Sequence, residues 1–405
     1  MRIAISGMFW GQPMVGSGQY LHGLLGELAR VAPQHEYVLL LPAYLDQRRR
    51  TNDELSSWRS SFGVRPSSFV VRTPFDNRNK NFAKLWFEQI GVPLAAARLR
   101  ADLLHVPYFA PPLWAPVPVV ATVLDIIPLL LPEYRGGRAV RAYMRLVAHA
   151  ARRAAHVIAI SDDSRRDIIR QLGCAPARVS TIPLAAGPQY RPLDHAQAAA
   201  LVAERYGLRE PFVYYVGGLD ARKNVTMLLH AWQRLRQAGG SLATLVIAGR
   251  ALGADTRLFP DIDALIATLG IADSVRRIDV PREDNPLLYN VATAFAYPSR
   301  YEGFGMPPLE AMACGTPVIV AAASSLPEVV GNAALLAAPD DVSAWVGALW
   351  RLLGDATLRD DLRARGFARA AQFSYERVAH ATVATYNATM SAAKDGTKEP
   401  MPAKK

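Results

Sequence analysis

The sequence contains very little cysteine and no long uninterrupted hydrophobic run. Only Cys174 and Cys314 occur among its 405 residues, and neither has a metal-ligand neighbour, which predicts a reducing, cytosolic compartment. The most apolar stretch, 117–131, is broken by one aspartate and two prolines. It falls short of the ~20 apolar residues that a membrane-spanning helix requires. The opening residues MRIAISGMFW also lack the longer apolar core and the cleavage site of a signal peptide.

What the sequence does contain is typical of a soluble globular protein. Its residues are 51% hydrophobic and 20% charged, and a chain of this length predicts two domains of similar size. The net charge of +11 favours anionic partners, namely nucleotides, phospholipid head groups or nucleic acid. Charge alone does not choose among them, and scattered arginine is equally well explained by genomic base composition. Because no nucleic-acid-binding module is recognisable, we expect no nucleic-acid partner.

Apolar β-rich runs alternate with helical patterns along almost the whole chain. The predicted strands are 2–6, 36–41, 103–106, 117–124 and 157–160, followed by 212–216, 243–248, 275–278, 294–297 and 318–321. The predicted helices include 19–31, 139–153, 225–237 and 342–353. This alternation predicts an α/β fold with parallel sheets that are covered on both faces.

The alternation pauses at 188–210, a polar segment without a predicted strand. We interpret it as the connection between an N-terminal domain, 1–187, and a second domain, 211–374. Ligands of doubly wound sheets bind outside the carboxyl ends of the strands, so two such domains would face each other across a cleft. The charged tail at 393–405 is expected to be disordered.

Residues 294–321, AFAYPSRYEGFGMPPLEAMACGTPVIVA, carry the most informative pattern. A buried strand ends at Tyr297, and a glycine-containing loop leads to two prolines suited to the first turn of a helix. The helix is predicted to stop at Gly315, with Pro317 beyond it. Glycines at 303 and 305 allow the backbone to approach a ligand, and the helix N-terminus offers N–H groups to an anion such as a diphosphate.

Two glutamates lie within this pattern. Glu310, expected in the first turn of the helix, can accept hydrogen bonds from a vicinal diol such as that of ribose. Glu302 lies on the approach to the same helix end, so the pair would hold opposite ends of one nucleotide-sugar. The alternative is that Glu310 only complements the helix dipole, an effect of about 0.3–1 kcal/mol.

A second pattern, GGLDARKN, follows the first predicted strand of the second domain. Its adjacent Arg222 and Lys223 could neutralise a departing diphosphate as negative charge accumulates on it. A basic pair before a helix is more often simply solvated. The position at the carboxyl end of a strand, as for the glutamates, is what favours the functional interpretation.

PSRYEGFGMPPLEAMACGTPV resembles the signature of glycosyltransferase family 4, including that family's two glutamates with seven residues between them. GGLDARKN is similar to the family's donor-phosphate loop. The similarity extends through IAISDDSRRDI, VSTIPLAAG, LVIAGR and FSYERVAHATVATYNA. It implies the α/β GT-B fold, with two doubly wound Rossmann-like domains facing across a cleft and a last helix, 375–392, that crosses back to the first domain.

The resemblance also implies a role for each matching residue. Glu302, Arg222 and Lys223 would be catalytic, with Glu302 beside the transferred sugar and the two cations on the leaving diphosphate. Glu310 would bind the ribose hydroxyls. The remaining donor-binding positions would be Gly218, Val280, Gly303, Phe304, Gly305 and Met306. Members generally retain the anomeric configuration and need no bound metal, so we expect a retaining enzyme without metal or cofactor.

Three positions depart from the family pattern. Gly218 stands where many relatives carry an arginine, so the phosphate contacts would rest on the basic pair that follows. Leu124-Asp125 stands where a His-Asp pair is common, which leaves Asp125 as the candidate carboxylate on the acceptor side. Asp279 stands where a glycine is common, beside the base-binding Val280.

Two segments of the first domain are candidates for contact with the acceptor. Gly16 and Gly18 are interpreted as part of a flexible loop facing the cleft; Leu21 occupies the place of the third glycine of a dinucleotide fingerprint. The alternative is a tight strand-to-helix turn. The segment 77–100 mixes basic and aromatic residues. It could lie on an anionic membrane and meet a lipid-linked acceptor, or it could be a core helix with its aromatic residues inward.

These observations predict a retaining glycosyltransferase that moves mannose or another hexose from a nucleotide-diphosphate sugar. The expected acceptor is a glycan or a lipid-linked molecule of the cell envelope or an exopolysaccharide. The expected location is the cytoplasm, with peripheral contact to the inner face of the membrane as a further hypothesis. The alternatives are a GT-B nucleotide-sugar epimerase and a catalytically inactive nucleotide-binding subunit of a glycan assembly complex.

Overall fold

The computed structural model describes residues 1–13, 15–43, 67–75, 79–239, 242–251, 253 and 255–396. The chain divides into two compact units, Met1–Leu184 together with the helix that begins at Tyr375, and Ala185–Ser374. Each unit contains one parallel β-sheet flanked by helices, which confirms the predicted α/β class. No helix among these described residues is both long enough and apolar enough to cross a membrane.

The sheet of the first unit has its central strands buried. Its strands are β1 Arg2–Ser6, β2 Glu36–Pro42, β3 Ser67–Val71, β4 Leu103–Val106, β5 Val119–Val123, β6 His156–Ala159 and β7 Val179–Thr181. Their spatial order is β3-β2-β1-β4-β5-β6-β7, all parallel. The order reverses between β1 and β4, and the apolar runs of these strands are covered by helices on both faces.

The helices of the first unit connect these strands. They are α1 Gly16–Val31, α2 Lys80–Trp86, α3 Val92–Arg98, α4 Ile127–Leu130, α5 Arg138–Arg153 and α6 Asp162–Asp167. A π-helical turn, Phe87–Gly91, joins α2 to α3. Another, Ile168–Leu172, continues α6, which begins where the Ser161 hydroxyl accepts from the Ser164 N–H at 3.0 Å.

The sheet of the second unit contains β8 Phe212–Val216, β9 Thr244–Ala248, β10 Val275–Ile278, β11 Ala294–Tyr297, β12 Val318–Ala321 and β13 Ala334–Ala337. Their order is β10-β9-β8-β11-β12-β13, again parallel. The order reverses between β8 and β11. In such sheets the ligand crevice opens at the carboxyl ends of the two strands that flank the reversal.

The described residues of the second unit form eight helices, half of which begin at a side-chain cap. They are α7 His195–Tyr206, α8 Val225–Gln237, α9 Ile262–Leu269, α10 Asn285–Val291, α11 Met306–Cys314, α12 Leu326–Val330, α13 Val342–Gly354 and α14 Ala356–Ala370. Four begin at an aspartate whose carboxylate accepts from a backbone N–H three residues on: Asp194, Asp261, Asp341 and Asp355. The last helix, α15 Tyr375–Gly396, belongs to the first unit and packs against α1.

Three strands of the structure are absent from the sequence-based prediction: β3, β7 and β13. Each is the edge strand of its sheet, short and incompletely buried. An edge strand needs no long apolar run, so its sequence gives a weak signal. The predicted strand 117–124 is also too long, because the ladder pairs only Val119–Val123 with its neighbours.

The segment 188–210, predicted as an interdomain connection, contains α7 and belongs to the second unit, where α7 packs against α10. The last helix continues to Gly396, past the predicted start of disorder at 393. The rest of that predicted tail, 397–405, lies outside the described residues.

Candidate active site

Two loops leave the second sheet at its point of reversal. The loop after β8 contains Gly217, whose φ of 155° is a backbone conformation that glycine adopts more readily than other residues. A Cβ at Gly249 would collide with the carbonyl oxygen of Gly217. A 3₁₀ turn, Ala221–Lys223, then presents the basic pair. Asn224 is buried with a φ of 59°, and its side-chain amide donates to the carbonyl of Pro339 at 2.7 Å. This loop is therefore fixed at both ends before α8 begins.

The loop after β11 carries Glu302 and is held by two serines that follow β12. The backbone N–H of Glu302 donates to the Ser324 hydroxyl at 2.8 Å. The Ser325 hydroxyl donates to the carbonyls of Glu302, at 2.9 Å, and Phe304, at 2.5 Å. Because Ser325 is completely buried, these bonds fix the loop from the protein side. Neither serine was predicted from the sequence as part of the site.

The side chain of Glu302 meets both predicted cations. Its Oε1 atom accepts from Lys223 Nζ at 2.6 Å, from Arg222 Nη1 at 2.9 Å, from the Ser299 hydroxyl at 2.5 Å and from the Tyr297 hydroxyl at 3.1 Å. The Tyr297 hydroxyl in turn accepts from Lys223 Nζ at 2.6 Å. All four of these donors converge on one carboxylate oxygen, which leaves Oε2 outside this network.

Charge and burial together determine the protonation of this cluster. Burial by itself would raise the pKa of Glu302, but the Lys223 and Arg222 cations outweigh it and hold that pKa below its ordinary value. Burial also lowers the pKa of Lys223, and Glu302 opposes that effect. A second carboxylate, Asp220, lies 3.4 Å from Arg222 Nε, so two cations face two anions. Glu302 is therefore a carboxylate near neutral pH.

The helix that follows has the predicted boundaries: a glycine and two prolines mark its start, and a glycine marks its end. Gly305, with a φ of 125°, precedes α11; Pro307 and Pro308 lie in its first turn, and the helix ends at Gly315 with a φ of 85°. Glu310, however, is the fifth helical residue. Its expected place in the first turn is wrong, because the helix starts directly after Gly305. An interaction with the helix dipole, which falls off within the first turn, is correspondingly weak.

Glu310 is buried, and its side chain contacts polar groups of neighbouring elements. Its Oε1 atom is 3.4 Å from Arg282 Nη2, and its Oε2 atom accepts from the Tyr289 hydroxyl at 3.3 Å. The Tyr190 hydroxyl also interacts with it. Burial raises the pKa of Glu310, and Arg282 and both hydroxyls oppose that shift. None of these three partners was predicted from the sequence.

The remaining donor-side positions surround these loops. The Tyr215 hydroxyl donates to the carbonyl of Gly218 at 2.6 Å. Val280, half-buried, follows β10, and the neighbouring Asp279 forms an exposed ion pair with Arg250, whose Nε lies 3.1 Å from Oδ1. Gly303 and Phe304 are buried, and Met306 is the first residue of α11. Among the described residues, no group of three or more His, Cys, Asp or Glu side chains is arranged to hold a metal ion.

The acceptor-side candidates lie in the first unit. Gly16 and Gly18 are not in a flexible loop as expected, because α1 begins at Gly16 and both are in its first turn. A Cβ at Gly18 would collide with the carbonyl oxygen of Gln12, so close packing explains that glycine. Asp125 is exposed after β5, and its Oδ1 accepts from the Ile127 N–H at 3.2 Å, at the start of α4.

The segment 77–100 fits neither of its two interpretations completely. Phe87 is buried in the core, whereas Phe82 is 57% exposed. Exposed apolar residues continue along the same helical segment with Ile90 and Leu94. Asn77 and Arg78 lie outside the described residues.

Known proteins are similar to this chain over most of its length. The family model described as Glycosyltransferase Family 4 matches residues 15–186, and the model described as Glycosyl transferases group 1 matches residues 203–369. The chain is 34% identical to the O-antigen chain mannosyltransferase B of Escherichia coli over 388 residues, 92% of this chain and 96% of that protein. It is 29% identical to the E. coli serotype-specific mannosyltransferase WbdA over 272 residues, 66% of this chain and 33% of that protein. Its fold is similar to that of sucrose-phosphate synthase from Thermosynechococcus elongatus, with a TM-score of 0.72 and 23% identity over 97% of this chain and 100% of that one.

Proposed function

This chain belongs to the group 1 glycosyltransferases of family 4, and we propose that it transfers mannose from a nucleoside-diphosphate sugar to a growing cell-envelope glycan. The family confirms the resemblance carried by the glutamate motif, and the two Rossmann-like units are those of the GT-B fold. The choice of mannose is supported by the two mannosyltransferase relatives, of which one is matched over 96% of its length. The O-antigen relative supports a polysaccharide as acceptor.

The observation that carries the proposal is the contact of Glu302 with Lys223 and Arg222 at the sheet reversal. A nucleoside diphosphate leaves a sugar as an anion, and two cations fixed beside it would stabilise that charge. Because the Glu302 pKa is held low, its carboxylate would face the positive charge that develops on the sugar. Oε1 is engaged by protein donors, so Oε2 would serve the sugar.

Retention of configuration is part of the same proposal. The diphosphate would leave from one face of the sugar, and the acceptor hydroxyl would attack that face within the ion pair. The departing phosphate oxygen would accept the proton of the attacking hydroxyl, so no separate base would be needed. The basic pair and the N-terminal end of α11 would bind the diphosphate in place of a metal ion.

Transfer assays with GDP-mannose and with UDP-glucose test the function. Replacing Lys223→Ala or Glu310→Ala should lower kcat/KM by about 100-fold or more, because each removes a group bound to the donor in the transition state. Glu204→Ala and Arg209→Ala, both at exposed positions of the same unit, are the matched controls. Nuclear magnetic resonance of the product should give the donor's anomeric configuration, and chelating agents should leave the rate unchanged. Full activity in both active-site variants would defeat the assignment.

We further propose that the first unit contacts an anionic membrane through an apolar–basic patch. The patch comprises exposed apolar residues and nearby cations: Phe82, Ile90, Leu94, Leu113, Trp114, Lys80, Lys84 and Arg98. Gln89 ties its two parts together, since its side chain accepts from the Leu113 N–H at 3.0 Å and donates to the Pro111 carbonyl at 3.3 Å. Exposed arginines line the neighbouring α5, whose Tyr143 hydroxyl donates to Glu88 at 2.8 Å. Aromatic residues beside cations are typical of interfacial binding.

Sedimentation with lipid vesicles tests the patch. The protein should bind vesicles containing phosphatidylglycerol, and this affinity should fall as added salt screens the charges. It should bind vesicles of phosphatidylcholine only weakly. Trp114→Ser should weaken binding several-fold because its side chain, 62% exposed, would enter the head-group region. Trp350→Ser, at a 48% exposed tryptophan of the second unit, is the control. An equal loss of vesicle binding in both variants would contradict the proposal that the patch contacts the membrane.

A further inference from the structure

The carboxylate of Glu310 is enclosed by side chains from three separate segments of the second unit. Its side chain is only 7% exposed. Tyr289 comes from α10, Arg282 from the 3₁₀ turn that precedes α10, and Tyr190 from the segment before α7. The Tyr190 hydroxyl interacts with both Glu310 and Arg282. Glu310 thus has two phenolic hydroxyls and one cation around it.

The two tyrosines are rigid supports. Tyr289 is completely buried and packs edge-on against Tyr190, Tyr214 and Phe295, with ring centroids 6.0, 5.6 and 5.2 Å apart. Aromatic side chains packed in this way have little rotational freedom. Their packing therefore limits the movement of both rings beside Glu310.

Tyr190 is held in place although it belongs to a segment that the sequence presents as a connection. The side chain of Asn290 in α10 accepts from the Leu193 N–H at 2.8 Å and donates to the carbonyl of Arg191 at 3.0 Å. The Tyr190 N–H donates to the carbonyl of Gly187 at 3.0 Å, which closes a turn. The backbone on both sides of Tyr190 is therefore fixed, on its C-terminal side to the helix that carries Tyr289.

The contacts to Glu310 leave it able to bind more. Its distances to Arg282 and Tyr289, 3.4 and 3.3 Å, are at the long end of hydrogen bonds. A carboxylate offers about four acceptor positions, so the enclosing donors do not exhaust it. A buried carboxylate without donors would be strongly disfavoured, whereas one with only weak donors can exchange or add hydrogen bonds from a ligand.

We propose that Tyr190 and Tyr289 are positioning residues, which orient the Glu310 carboxylate so that it accepts both hydrogen bonds of the donor's ribose diol. Arg282, 3.4 Å away, supplies a counter-charge beside this carboxylate. The inference rests on the proposed function, since it assumes that Glu310 meets the ribose. It adds a source of selectivity for ribose over deoxyribose that lies outside the glutamate motif.

Calorimetric titration with four nucleotides tests this inference: GDP, UDP and the 2′-deoxy form of each. For each protein the measured quantity is the ratio of the deoxy to the ribo dissociation constant. The variants are Tyr190→Phe, Tyr289→Phe and Glu310→Ala. Tyr214→Phe is the matched control, because Tyr214 lies in the same aromatic cluster but its hydroxyl donates to Asn285 at 2.8 Å.

The wild-type protein should bind its preferred ribonucleotide about tenfold or more tightly than the deoxy form, as expected for hydrogen bonds to a charged group. Each of Tyr190→Phe and Tyr289→Phe should lower that ratio by about three- to tenfold, Glu310→Ala should abolish the preference, and Tyr214→Phe should leave it unchanged. Partial unfolding reduces the number of sites for both nucleotides equally, so it does not alter the ratio.

Two results would overturn the inference, and they are distinguishable. If Glu310→Ala removes the preference while both tyrosine variants keep the wild-type ratio, the positioning role is wrong and the proposed function stands. If the wild-type protein binds neither nucleotide, or binds ribo and deoxy forms equally, the assignment of Glu310 to ribose fails together with the inference.

Discussion

At the scale of single residues, the active-site loops use one carboxylate oxygen as an anchor. Glu302 Oε1 accepts from four side chains, and two of them, Tyr297 and Ser299, belong to the strand end and loop that lead to it. The sequence identified the glutamate and both cations by motif. It did not identify Tyr297, although a tyrosine as the last residue of a buried strand in front of such a loop is the signal that could have done so.

Another buried carboxyl group, Glu88 in the first unit, makes stability depend on pH. Burial raises its pKa to about 7, against the opposing effects of Lys84, Tyr143 and Tyr108. Its Oε1 atom has no hydrogen-bond partner among the described residues, and Lys84 Nζ is 3.8 Å away. The ordinary pKa of a glutamate is 4.5, so between that pH and about 7 the unfolded chain releases a proton that the folded state retains, and above about 7 the folded state holds the charge buried. Stability is therefore lost as pH rises from about 4.5 to about 7, and the loss is complete above pH 7.

We expect Glu88→Gln to remove this dependence. The variant should gain stability over the wild type at pH 8 and gain little at pH 4.5, with a difference of up to about 3 kcal/mol between the two. Urea unfolding monitored by circular dichroism at both pH values measures it. Glu204→Gln, at an exposed carboxyl group, is the control. A Glu88→Gln effect that is the same at both pH values would show that folding does not raise the pKa of Glu88.

At the scale of elements, sequence patterns predicted best where several requirements coincide. The boundaries of β11, α11 and β12 were predicted almost to the residue. The apolar runs of the strands, the two prolines and the glycine at the helix end all mark the same boundaries. The edge strands β3, β7 and β13 were missed, because pairing with a single neighbour requires no apolar run. The position of Tyr190 could not be predicted, because it depends on the packing of a polar segment on α10.

The start of α11 depends on the conformation of Gly305. Its φ of 125° is strained for any other residue, and a Cβ there would lie 2.9 Å from Leu326 Cδ2. We expect Gly305→Ala to lower the free energy of unfolding by about 1–3 kcal/mol and to weaken nucleotide binding, because the helix start would shift. Thermal unfolding and calorimetry measure the two effects.

Gly347→Ala provides the matched comparison for that substitution. Gly347 lies within α13, no positive φ is found there, and no neighbour lies within 4 Å of a Cβ at that position. Alanine should therefore stabilise the protein by about 0.5–1 kcal/mol with no change in nucleotide binding. If both alanine variants behaved alike, the conformation of Gly305 would not be important for the helix start.

At the scale of the whole molecule, residues from both ends of the chain meet in the first unit. The buried Tyr386 of α15 has its hydroxyl 2.7 Å from Nδ1 of His105 in β4, and the other ring nitrogen of His105 is 2.9 Å from the Thr122 hydroxyl in β5. Burial lowers the pKa of His105 to about 3, so the ring stays neutral. No sequence pattern predicts this contact, because the two residues lie 281 positions apart.

We expect Tyr386→Phe to lower the free energy of unfolding of the first unit by about 1–3 kcal/mol, because it leaves a buried ring nitrogen without its partner. Denaturant unfolding of the full-length protein measures the effect. Tyr375→Phe is the control, since the Tyr375 hydroxyl is only part-buried and makes a long contact, 3.4 Å, with the carbonyl of Gln19. An equal loss in the two variants would mean that the buried hydrogen bond contributes nothing beyond ordinary packing.

The return of α15 to the first unit has a consequence for biosynthesis. A ribosome releases the chain from its amino end, so the surface of α1 that receives α15 stays uncovered until the final helix emerges. The second unit, whose residues are contiguous, is complete earlier. The first unit is thus completed after the second, although most of its residues are made earlier.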